Sequence, residues 1–153
     1  MKTLWRISNH VDLGGWGGRK FESRWSSLGR RIVYMAESPA GATLEVLVHL
    51  KDRGDELPAT FSLLEIEWPE GSGIRELLPL AEVEWKYQPE STRTIGDAWL
   101  SSRETPMARV PSAIMPRTWN VILNPEHPDA HLVRVVSVIR ERFDNRLFRF
   151  GAR

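Results

Sequence analysis

Short runs of β-forming residues alternate with loops along most of this chain, and only two stretches carry a helical signature. Leu4 to Ile7 reads as a first strand and Arg31 to Ala36 (Arg-Ile-Val-Tyr-Met-Ala) as a second. Ser38-Pro39 offers an N-cap followed by proline at the first helical position. The helix it opens is expected to run through Ala42, Leu44, Leu47 and Val48 to about Leu50, where Lys51-Asp52-Arg53-Gly54-Asp55 ends it. Phe61 to Trp68 predicts a strand, Ile74 to Leu80 a helical turn broken by Pro79, and Thr94 to Ser102 a second helix. Asn120 to Leu123, Leu132 to Arg140 and Arg146 to Phe150 predict further strands, the last two joined by the turn Phe143-Asp144-Asn145. Gly14-Gly15-Trp16-Gly17-Gly18 is a loop by glycine content. Strands with few, short helices argue for an α+β domain. With no repeat, linker or low-complexity tract in view, one domain is expected over residues 1–153.

Composition narrows the function classes. The 153 residues are 41% hydrophobic and 27% charged, ordinary for a globular domain with a proper core. Twenty-one Lys and Arg against 20 Asp and Glu leave a net charge of +1, so the body of the fold has no electrostatic reason to bind nucleic acid. The absence of cysteine removes disulfides, thiolate catalysis and a Cys-ligated zinc. Met1 to Arg6 has no signal-peptide pattern, and no apolar stretch is long enough for a membrane helix; a cytoplasmic location is the expectation.

Glu45 carries the most information about chemistry. It is the only charged side chain from Ser38 to Leu50, set in a helix expected to be buried on nearly every face. A buried carboxylate costs stability unless something rewards it. A structural ion pair and a catalytic role stand about even on this feature alone. Tyr34, on the strand feeding that helix, can share a cleft mouth with Glu45 or simply be a half-buried strand aromatic. Arg6 and Arg24 each adjoin a tryptophan, Trp5 and Trp25, and the planar guanidinium fork suits a pyrophosphate. Ser112 lacks a Gly-x-Ser-x-Gly frame and an evident histidine partner, which weakens a serine-hydrolase reading. His10, His49, His127 and His131 show no metal-ligand spacing, so no metal is expected. The arginines at 134, 140, 142, 146, 149 and 153 form either an anion-facing surface or the wet face of a hairpin.

Taken together, these blocks resemble the RES domain, the toxin half of RES–Xre toxin–antitoxin pairs. In order they are Leu4-Trp5-Arg6, Arg24-Trp25, Gly29, Ile32-Val33-Tyr34, Glu45, Gly96-Asp97-Ala98-Trp99-Leu100 and Val110-Pro111-Ser112-Ala113. Asn120 to Pro125 with His127-Pro128, and Phe143-Asp144 with Arg146-Leu147-Phe148, complete the set. The family is named for an arginine, a glutamate and a serine: the glutamate falls on Glu45, the serine on Ser112, and the arginine on Arg6 or Arg24. Ser23-Arg24-Trp25-Ser26 departs from the family's usual Gly-Arg-Trp/Phe-Asn.

The resemblance implies a fold similar to the ADP-ribosyltransferases, with a split β-core and short helices, acting on NAD as substrate. It implies cleavage of the nicotinamide–ribose bond by hydrolysis or phosphorolysis, with protein mono-ADP-ribosylation or an inactive binding module as alternatives. Glu45 would hold the ribose, Tyr34 stack on nicotinamide, Arg6 and Arg24 clamp the pyrophosphate, and Ser112 bond within the nicotinamide–ribose pocket, with Trp25 beside the cofactor. An Xre-like helix-turn-helix antitoxin is the implied partner, and a homodimer within such a complex is compatible with it. No direct nucleic-acid or membrane contact is implied.

Overall fold

The computed structural model describes residues 1–53, 58–82 and 84–148. Its strands are β1 (Lys2–Ile7), β2 (Val33–Ala36), β3 (Thr60–Trp68), β4 (Ile74–Glu76), β5 (Met107–Pro111), β6 (Trp119–Leu123) and β7 (Arg134–Arg142). They form a seven-stranded sheet in the order β4-β5-β6-β2-β1-β3-β7. All neighbours are antiparallel except β4 and β5. A parallel pair needs a crossover, and α2 (Pro89–Ser102) supplies it; α1 (Pro39–Arg53) links β2 to β3. The fold is α+β, as expected.

The sheet is divided in the middle. β1 and β2 share one register pair, Trp5↔Ala36, whereas β1 runs along β3 from Lys2↔Trp68 to Ile7↔Leu63, and β2 along β6 from Val33↔Leu123 to Ala36↔Asn120. Beyond the single pair the two halves diverge. Strand alternation then sorts side chains onto two faces. Leu4, Val33, Met35, Leu64, Ile66, Met107, Val121 and Leu123 build an apolar cluster on one. On the other, Trp25, Ile32, Ala108, Val110 and Ile122 pack against Trp99 and Leu100 of α2, with Tyr34 at the margin.

Several local readings change. α1 begins where Ser38 accepts the Gly41 amide at its Oγ, the expected N-cap. It is not buried all round: Ala42 is buried, Leu44, Glu45 and Leu47 are partly exposed, and Val48 is 37% exposed. The helix packs chiefly on β1 and β2, which leaves its other side partly exposed. Ile74 begins strand β4 rather than a helical turn, because the parallel ladder to Met107–Arg109 outweighs its local pattern. β5 is a strand that the sequence pattern did not signal. The segment after Phe143 is a 3-10 turn, Asn145–Phe148, not a strand, so β7 has no hairpin partner there. Phe150, Arg149 and Arg153 lie outside the described residues. The two helices are full-length, 15 and 14 residues. Among the described residues no helix is long and apolar enough to cross a membrane.

Candidate active site

Residues 23–27 are not part of the sheet, and α2 holds them in place. Thr92 Oγ1 donates to the Arg24 carbonyl, and Arg93 Nε to the Ser23 carbonyl at 2.8 Å. The Asp97 carboxylate accepts from Ser27 N at 3.0 Å and from Ser27 Oγ. Gly96 lets the chain come this close: a Cβ there would stand 1.8 Å from the Trp25 carbonyl oxygen. The block Gly96-Asp97-Ala98-Trp99-Leu100 is therefore a clamp, its apolar members in the core and its polar members on the 23–27 segment.

That segment meets the sheet at Tyr34. The Tyr34 hydroxyl lies 2.7 Å from Ser23 Oγ and accepts from Trp25 N at 3.0 Å. Burial pushes the phenol pKa up to about 12, opposed by the hydrogen bonds from Ser23 and Trp25 and by the positive charge of Arg24, while Glu45 pushes it the same way as burial. Arg24 and Glu45 both lie within electrostatic reach of the hydroxyl. Arg24 Nη1 donates to the carbonyls of Trp85 and Lys86, at 3.2 and 3.1 Å, with the guanidinium 5.7 Å from the Trp85 ring centre.

Glu45 reaches across from α1. Its Oε1 accepts from Ser112 Oγ at 2.9 Å and from Asn120 Nδ2 at 2.8 Å. Ser112 Oγ in turn accepts from the amides of Ile114 and Met115, at 3.1 and 3.3 Å, which directs its proton to the carboxylate. Ser112 is thus buried beneath Glu45 and steers it.

The structure brings Arg24, Tyr34, Glu45 and Ser112 together and sets two other candidates apart. Trp25 is 1% exposed, in the core against Trp85, so its indole is not a pocket wall. Arg6 shares Leu4's side of β1, opposite the Tyr34 ring, and sits where the sheet divides. Its Nη1 donates to the Tyr34 carbonyl at 2.9 Å, bridging a gap that a ladder bond would otherwise close. Burial lowers its pKa, partly offset by Asp12. Its Nε is buried without a hydrogen-bond partner among the described residues. Asn120 and Ser23 were not singled out from the sequence; an asparagine opening the apolar run Val121-Ile122-Leu123 was the available signal.

Elsewhere, His127 caps a 3-10 turn by accepting the Asp129 amide, and Asn124 Nδ2 donates to the Leu100 carbonyl. Trp16 in the glycine-rich loop is 53% exposed and stacked under Arg31 at 4.0 Å. A cleft of about 620 Å³, lined by Lys2, Glu37, Trp68, Arg75 and Arg109 among others, holds none of the candidate residues.

A carboxylate fixed on one oxygen, near a buried phenol and the Arg24 guanidinium, can hold a hydroxylated, anionic ligand and stabilise a nearby cation. The chain is 46% identical over 132 residues to Toxin Res of Pseudomonas putida, covering 86% of this chain and 90% of that protein. It is 36% identical over 163 residues to the Prs ADP-ribosylating toxin of Sphingobium sp., covering 96% and 97%. The toxin–antitoxin complex MbcT–MbcA of M. tuberculosis contains a chain of the same fold, with a TM-score of 0.74 at 17% identity over 92% of this chain and 84% of that one. Residues 3–145 match the RES domain, and the chain belongs to the RES domain family.

Proposed function

We propose that this protein is a toxin enzyme that cleaves the nicotinamide–ribose bond of NAD, by hydrolysis or phosphorolysis, and that an antitoxin holds it silent. The observation that carries the reading is the Glu45 carboxylate, fixed at Oε1 by Ser112 and Asn120 and within electrostatic reach of the Tyr34 hydroxyl. Cleavage of this bond passes through an oxocarbenium-like ribosyl cation, as in glycoside hydrolysis. The bond's electron pair leaves with nicotinamide, which becomes neutral; phosphate then bonds to the anomeric carbon, or water does so and loses a proton to solvent. Glu45 Oε2 accepts a ribose hydroxyl and its charge stabilises the developing cation.

Tyr34 offers a ring for the nicotinamide to stack on, and its phenol stays protonated at working pH. Arg24 holds the pyrophosphate, and Arg6 braces the Tyr34 strand through that residue's carbonyl. Ser112 acts through Glu45 and not on nicotinamide directly. The scheme requires no metal.

The toxin–antitoxin complex MbcT–MbcA supports an antitoxin as the partner; the family resemblance implies an Xre-like helix-turn-helix protein that covers the cleft, with DNA contact left to the antitoxin and the enzyme in the cytoplasm, where NAD is its substrate. Incubating the purified protein with NAD, with and without phosphate, and identifying products by mass spectrometry tests the reaction. ADP-ribose in both buffers indicates hydrolysis; ADP-ribose-1″-phosphate only with phosphate indicates phosphorolysis. A second reading, mono-ADP-ribosylation of a cellular protein, is favoured by the name of the Sphingobium relative. NAD that stays intact until cell extract is added, with label then on one protein band, would establish it in place of the first.

A further inference from the structure

Asn120 stands on β6 opposite Ala36 of β2 and Val110 of β5, in a strand whose next three residues are Val121, Ile122 and Leu123. The residue is 7% exposed. Its Nδ2 donates to Glu45 Oε1, and its Oδ1 is buried with no hydrogen-bond partner among the described residues. A buried acceptor left unpaired in an apolar strand costs stability. A valine there would suit the strand better and leave nothing unpaired. The one contact that offsets this cost is the bond to Glu45.

We infer that Asn120 is a positioning residue: it fixes the Glu45 carboxylate so that Oε2, not Oε1, faces the ribose. This rests on the reading of Glu45 as the carboxylate at the ribose. Glu45 projects from a partly exposed helix on a side chain with several rotatable bonds, and one hydrogen bond from Ser112 leaves the carboxylate free to swivel. A second donor, arriving from a different strand on the same oxygen, removes that freedom. Orientation of this kind acts on the rate of the chemical step more than on substrate affinity.

The test is nicotinamide release from NAD by the full-length protein and its Asn120→Val variant, with melting curves for both. The expected result is a kcat lowered about tenfold, KM within about twofold, and a Tm unchanged or raised. In a Glu45→Ala background, Asn120→Val should leave the residual rate unchanged, because Asn120 acts only through Glu45. Asn120→Asp keeps the side chain's shape but loses the donor, and should lower kcat at least as much.

A variant that melts earlier or fails to fold while Asn120→Asp keeps its rate assigns Asn120 to the fold. A raised KM with kcat intact makes it a substrate contact, and a further tenfold loss in the Glu45→Ala background breaks the link to Glu45. Each of these overturns the inference. If the unaltered protein releases no nicotinamide, the reading of the reaction fails and takes this inference with it. If it is active and Glu45→Ala is impaired while Asn120→Val is not, the inference alone fails.

Discussion

The two halves of the divided sheet are built on different terms. On the β1–β3–β7 side the ladder runs from Thr60↔Arg142 to Glu67↔Arg134 with one bulge, and the outer strand leaves Val136, Val138 and Ile139 more than 40% exposed. Its one candidate for chemistry is Arg6, at the dividing line. On the β2–β6–β5–β4 side, Tyr34, Ser112 and Asn120 are set among apolar residues, Tyr34 bonded to the segment that α2 clamps and Ser112 and Asn120 Nδ2 bonded to Glu45. Polar groups survive burial where they are mutually bonded. The half that carries such a network is the half that carries the site. The other supplies mostly ladder and core.

The comparison can be broken by substitution, and the largest effect is expected at Glu45. Glu45→Gln keeps the shape and removes the charge, so kcat for NAD cleavage should fall about a hundredfold or more with Tm nearly unchanged; nicotinamide release beside a melting curve checks this. Gly96→Ala pushes a methyl into the Trp25 carbonyl and should cost about 3 kcal/mol. For a domain of this size that lowers Tm by about 10 °C, and activity should fall with it, since the 23–27 segment carries Arg24.

Arg24→Lys replaces a fork by a point charge and should weaken NAD binding about tenfold by calorimetry, with little change in Tm. The alkaline limb of stability sharpens the contrast at Tyr34. Its folded pKa, about 12, lies above the ordinary value of 10, so its contribution is complete below pH 10 and is lost as pH rises through 12. Tyr34→Phe should remove that loss in melting curves taken between those pH values. Val136→Thr on the outer strand, 49% exposed, should change stability by less than about 0.5 kcal/mol and leave kcat alone.

The fold class, the first two strands, the Ser38 cap and the lone carboxylate in α1 were all legible in the chain, because each rests on local chemistry: alternation, capping, and a charge in an apolar run. β4 and the 3-10 turn at Asn145–Phe148 were not, since their states depend on whether a partner strand lies alongside. The candidate site divides the same way. Glu45 stood out as a lone charge in an apolar run, whereas Tyr34, Ser112 and the two arginines gained their roles toward an anionic sugar from the family resemblance. Only the tertiary structure decided that Ser112 bonds to Glu45, that Trp25 faces the core, that Arg6 spans the divided sheet, and that Asn120 completes the carboxylate's support. These are pairings across 28 to 75 residues of chain. A sequence specifies such partners only through the packing that brings them within hydrogen-bond reach.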